Sequence, residues 1–114
     1  MRSDRQRLED VIAATNAITS HLGRGTIDDE LVFDAVRVRL IEIGEAIKDI
    51  DGELLAHEAD VPWQDIASMR DHLTHRYFDT AHSVVAATVE NDLPPLAAAV
   101  RRLIDGLADE DGPP

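Results

Sequence analysis

Eight consecutive residues, Arg70-Asp71-His72-Leu73-Thr74-His75-Arg76-Tyr77, carry two arginines, two histidines, an aspartate and the chain's single tyrosine. Guanidinium groups hold phosphate or carboxylate oxygens through charge-assisted hydrogen bonds. An imidazole, with an ordinary pKa of about 6.5, moves protons near neutral pH. On spacing alone the stretch serves equally well as an exposed, charged helix end. At about 100° per residue, Arg70 and Tyr77 share one side of a helix, while His75 lies about 140° round from Arg70. A single straight helix does not aim all three at one point. Long arginine reach, distortion at the helix end, or pairing of two copies across a symmetry axis would bring Arg and His together.

The elements that must position this stretch are helical throughout. Ser3 followed by Gln6 forms a capping-box pattern, and Leu8, Val11, Ile12, Thr15, Ile18 and Leu22 recur at helical spacing up to Gly23, which predicts a first helix over 4–22. Thr26 or Asp28 caps a second helix over 28–52, with Phe33, Val36, Leu40, Ile43, Ile47, Ile50 and Leu54 on one stripe. A second strip of Leu31, Val38 and Ile41 on that helix suits a subunit interface, so the chain is expected to form a homodimer. Pro62 opens a third helix over 62–77 with Ile66, Met69 and Leu73 facing the core. Asp79 or Thr80 caps a fourth to about Asn91, and Asp92 starts a fifth carrying Leu96, Val100, Leu103 and Leu107. The expected fold is an all-α, up-and-down four-helix bundle with an additional short or broken helix near Pro94. One domain spans 1–108, and 109–114 form a frayed acidic tail.

Composition narrows the function. The formal charge of −12 leaves no broad basic surface for nucleic acid, so any RNA contact must be local. With no cysteine there is no disulfide framework or thiolate metal site, and no apolar run is long enough to cross a bilayer or follows the N-terminus as a leader would. A cytoplasmic location, away from membranes, is expected. The inward Glu-x-x-His pairs of a di-iron bundle are missing, and His57-Glu58 has no second histidine at the spacing of a zinc protease. Gly23-Arg24-Gly25 reads as a helix cap and turn instead of a phosphate-cradling loop. Arg2, Arg5, Arg7, Arg101 and Arg102 sit among acidic neighbours and read as solvated faces, and His21 and His82 as isolated surface or interface histidines.

The spacing Arg70, four residues, His75, one residue, Tyr77 resembles the R-x-x-x-x-H-x-Y motif of HEPN domains, specifically the HepT-like toxins encoded beside minimal nucleotidyltransferases. The flanks agree in order. Ile43-Gly44-Glu45-Ala46 resembles that family's second-helix signature, Pro62-Trp63 and Ile66 precede the motif, and Asp92-Leu93-Pro94-Pro95-Leu96 resembles the entry to its last helix. The resemblance implies an all-α homodimer whose two motifs line a shared cleft. It also implies a metal-independent RNase, needing no cofactor, whose RNA substrate is cut with Arg70 and His75 as catalytic residues. Asp71 stands where the family usually has a polar residue, often Asn; it can orient His or Arg, but its carboxylate also repels RNA. Tyr77 is the implied acceptor of adenylate from a cognate nucleotidyltransferase antitoxin. The alternative is a non-catalytic subunit that presents a substrate, or itself, to that nucleotidyltransferase.

Overall fold

The computed structural model describes residues 2–75 and 78–111. Helix α1 (Asp4–Leu22) begins at the expected capping box, in which Gln6 N–H donates to Ser3 Oγ at 3.1 Å and Ser3 N–H to Gln6 Oε1 at 2.8 Å. Helix α2 (Glu30–Lys48) is capped by Asp29, whose Oδ1 accepts from Leu31 N–H and Val32 N–H, in place of Thr26 or Asp28. The cap falls there because the Thr26 hydroxyl is engaged in the preceding turn with Asp28 N–H. The apolar stripe of α2 is buried as its spacing predicts: Phe33, Val36, Leu40, Ile43 and Ile47 all lie in the core.

The second helix is shorter than the expected 28–52. It stops at Lys48, and a separate short helix α3 (Gly52–Leu55) starts where the Asp51 side chain accepts from Glu53 N–H at 3.0 Å. Ile50 stays buried across the break, so the apolar pattern continues while the backbone does not. A 3₁₀ turn (Ala56–Glu58) follows, and Trp63 Nε1 donates to the Glu58 carbonyl at 3.0 Å, joining this turn to helix α4 (Trp63–His75). Pro62 stands one position earlier than expected, its carbonyl accepting from Ile66 N–H. Arg76 and Tyr77, the last residues of the expected third helix, lie outside the described residues.

Helix α5 (Phe78–Ala87), a π turn (Thr88–Asp92) and helix α6 (Leu93–Asp111) form one uninterrupted helical run. The expected break near Pro94 is thus a π turn. A proline within an α-helix removes one N–H and clashes with the carbonyl four residues back. The wider turn relieves this for Pro94 and Pro95, with Leu93 N–H reaching back five residues to the Thr88 carbonyl. Helix α6 continues past the expected domain limit at 108 to Asp111, and 112–114 lie outside the described residues.

Helix α1 packs between α2 and α6, and α2 packs on its other side against α4. The bundle is elongated, with extents of 51 × 27 × 25 Å. Leu8, Val11, Ile18, Leu40, Ile43, Leu73, Val85, Leu96 and Val100 are almost wholly enclosed at its centre. The buried hydroxyls of Thr15 and Thr88 donate to the carbonyls one turn back, Val11 and Val84. Of the second strip on α2, Leu31 is 81% and Val38 48% exposed, while Ile41 is half-buried against the core.

At Gly44, α2 lies directly against the backbone of α4. A Cβ added at Gly44 would stand 3.2 Å from the Ile66 and Ala67 carbonyl oxygens and 3.3 Å from Arg70 N. These are backbone atoms of a packed helix, which cannot swing aside as a side chain can. Gly44→Ala is therefore expected to destabilise the fold by about 1–3 kcal/mol, the usual cost of overpacking, seen as a lower thermal midpoint by circular dichroism. An unchanged midpoint would show that the two helices can part without cost.

Candidate functional site

The close contact at Gly44 sets the neighbourhood of Arg70. The next residue on α2, Glu45, forms an ion pair through Oε1 with Arg70 Nε, both side chains being roughly half exposed. Arg70 also bonds to its own neighbour, its terminal NH1 donating to Asp71 Oδ1 at 3.3 Å. One guanidinium thus faces two carboxylates, one from each helix. Asp71 thus lies against Arg70, and Glu45 is a second partner that the spacing of the motif did not reveal. The only sequence hint was Glu45's place in the Ile43-Gly44-Glu45-Ala46 signature.

Toward the C-terminal end of α4, Arg37 of α2 donates from Nε to the Leu73 carbonyl at 3.1 Å. Leu73 follows Arg70 by three residues on α4, so Arg37 and Arg70 stand along the same seam. No sequence pattern marked Arg37, because its partner is far off in the chain. Helix α4 ends at His75; the placement of the His75 side chain and of Tyr77 lies outside the described residues. The Thr74 hydroxyl donates back to the Arg70 carbonyl at 2.7 Å, within the same last turns.

His72, about 200° round the helix from Arg70, lines a groove with Asp65, Met69 and Asp92 between α4 and the π turn. His82, read from the sequence as an isolated surface or interface residue, packs within the chain. Its ring stacks on Phe33 with centroids 5.6 Å apart, and Nε2 lies 3.3 Å from Asp28 Oδ1, linking α5 to the start of α2. Arg2 pairs with Asp10 and Arg7 with Asp4, the solvated faces expected of them. Among the described residues, no group of three or more His, Asp or Glu side chains is placed to hold a metal ion, and no helix is long and apolar enough to cross a membrane.

A family model described as "Ribonuclease HepT-like" matches residues 8–103, which includes the Gly44–Arg70 contact and the whole motif stretch. The chain belongs to the HepT-like ribonuclease family. It is 32% identical over 106 residues to a Thermococcus cleftensis protein named "Probable ribonuclease HepT", covering 90% of this chain and 96% of that one. It is 30% identical over 109 residues to a protein of Caldanaerobacter subterraneus subsp. tengcongensis, covering 91% and 96% of the two chains; the name of that relative gives RNase activity provisionally. No solved structure matches significantly. The HepT-like resemblance read from the motif and its flanks is borne out, and so is the all-α bundle.

On the opposite side of the bundle, Arg102 of α6 holds Glu58 of the 3₁₀ turn through Nε and NH2 at 3.0 and 2.6 Å. The hydrogen bond from Arg102 holds the Glu58 carboxyl below its ordinary value of 4.5. The same bond raises the Arg102 value, so this guanidinium stays charged. A carboxylate depressed in the folded state adds stability above its unfolded pKa and loses it as pH falls through the folded value. Arg102→Ala should therefore raise the Glu58 midpoint toward 4.5, read by NMR titration of its side-chain carboxyl carbon. A midpoint that stays put would assign the depression to another group.

Proposed function

We propose that the protein is the toxin half of a toxin–antitoxin pair, an endoribonuclease that cuts RNA without a metal ion in a cleft shared by two copies of the chain. A cognate nucleotidyltransferase antitoxin silences it by adenylylating Tyr77. The observation that carries this reading is Arg70, fixed on the α2–α4 seam by Glu45 and Asp71, on the same helix as His75 in a HepT-like chain.

RNA supplies its own nucleophile. His75 takes the proton of a 2′-OH as its oxygen forms a bond to the adjacent phosphorus. The bond from phosphorus to the 5′ oxygen breaks, and that oxygen takes up a proton, leaving a 2′,3′-cyclic phosphate and a 5′-OH end. Arg70 stabilises the charge that builds on the non-bridging oxygens. To do so it exchanges a carboxylate oxygen for a phosphate oxygen, and half-exposed pairs of this kind contribute only about 0–1 kcal/mol each. The 140° between Arg70 and His75 on one helix favours a site completed across two subunits, and the exposed Leu31 and Val38 supply an apolar strip for that contact.

Adenylylation joins the Tyr77 oxygen to the α-phosphorus of ATP and releases pyrophosphate and a proton. The added phosphodiester brings negative charge and bulk two residues from His75, where RNA phosphate must bind. A second reading, a non-catalytic subunit that presents itself to the nucleotidyltransferase, is favoured by the net charge of −12 and by the two carboxylates facing Arg70.

Purified protein is expected to cleave RNA in EDTA, leave cyclic phosphate ends and spare DNA, which lacks the 2′-OH. Arg70→Ala and His75→Ala should each lose at least about 100-fold, the lower range for a proton-transfer group, while keeping wild-type circular dichroism. Absence of cleavage by the wild type would leave the non-catalytic reading standing, and full cleavage by His75→Ala would overturn the mechanism given to His75. Tyr77→Phe should stay folded and accept no adenylate from the partner enzyme with ATP and Mg²⁺, as read by mass spectrometry. Adenylate mapped to a serine or threonine, with Tyr77 untouched, would refute that assignment.

A further inference from the structure

The two arginines bonded along the α2–α4 seam differ in how their charge is compensated. Arg70 faces Glu45 and Asp71, both anionic. The described partner of Arg37 is the neutral Leu73 carbonyl. A guanidinium has five N–H donors, and Nε accounts for one of them in the bond to Leu73; the two terminal nitrogens carry the other four. A cation held by a carbonyl keeps its full charge, whereas one between two carboxylates has its charge screened at close range.

Position adds to this difference. Arg37 is bonded to a carbonyl only two residues before His75, or about 3 Å along the axis, and so brings a positive charge to the part of α4 that a phosphate near His75 must approach. Its anchor is about 4.5 Å along the axis from Arg70, on the same seam. In a chain whose acidic total forbids a broad basic surface, two neighbouring cations on one seam form a local anion site.

We infer that Arg37 is a second phosphate-binding residue of the RNA site, acting from α2 beside Arg70. The inference rests on the RNA reading given above. It assigns Arg37 two tasks: Nε holds the Leu73 carbonyl of α4, and the terminal nitrogens hold phosphate oxygens of the bound strand.

Two substitutions separate those tasks. Arg37→Gln keeps an N–H donor able to reach the Leu73 carbonyl but removes the charge; Arg37→Lys keeps the charge. The probe is a fluorescent single-stranded 2′-O-methyl RNA, which cannot be cut at the 2′ position, with binding read by anisotropy between about 50 and 200 mM salt, a range over which phosphate contacts respond strongly. Arg37→Gln is expected to melt close to the wild type, to bind at least about tenfold more weakly, and to lower the slope of log affinity against log salt by about 0.7, the value for one phosphate on a single strand. Arg37→Lys should recover most of the slope. If Arg37 serves only to hold the Leu73 carbonyl, neither substitution changes the slope.

Cleavage of unmodified RNA by the wild type, measured in parallel, separates the two conclusions. If the wild type cleaves and Arg37→Gln binds with unchanged affinity and slope, the assignment of Arg37 is overturned and the RNase reading stands. If the wild type neither binds nor cleaves RNA, the RNA reading fails and takes the Arg37 assignment with it.

Discussion

The site depends on one close contact, the approach of α2 to α4 at Gly44. With hydrogen in place of a side chain, the α2 backbone lies against the carbonyls of Ile66 and Ala67 and against the amide of Arg70. Everything charged on the seam is ordered around that point. Glu45 follows Gly44 directly and reaches Arg70, and Arg37, two turns earlier on α2, reaches the Leu73 carbonyl of α4. The core residues Leu40, Ile43 and Ile47 on one helix and Ile66, Met69 and Leu73 on the other hold the pair at this distance. Apolar packing therefore sets the separation, and the ion pairs, weak in themselves, are placed by it.

Much of this organisation was legible in the sequence. The steps of three and four along Leu8 to Leu22 and Phe33 to Ile47 gave two helices and their buried faces, and Ser3 with Gln6 marked the first boundary. The motif and its flanks pointed to the HepT-like family. What the pattern missed has physical causes. Ile50 and Leu54 extend the apolar rhythm of α2 through Asp49–Asp51, so periodicity ran past a break made by the Asp51 cap. Prolines at 94 and 95 signal a break, yet the chain accommodates them by widening one turn. The Glu45–Arg70, Arg37–Leu73 and Phe33–His82 contacts join residues distant in the chain, and no local spacing encodes them.

The charge arrangement follows one rule. Arg2, Arg7, Arg39 and Arg102 each bond to an acidic side chain, so these four cations are compensated within the fold. Solvent screening beyond about 8–10 Å keeps a large acidic surface from opposing a local cation strongly. Selectivity for a polyanion can then arise from a small cationic spot without general affinity for nucleic acid.

The π turn has a geometric consequence for the bundle as a whole. Each α-helical residue advances the side-chain direction by about 100°, so a turn holding one residue more than an α turn shifts the phase of everything after it by about that amount. Helix α5 accordingly presents Val85 toward α2 and α4, while α6, continuous with it, presents Leu96, Val100 and Leu103 toward α1. One unbroken rod thus serves neighbours lying in different directions along its length.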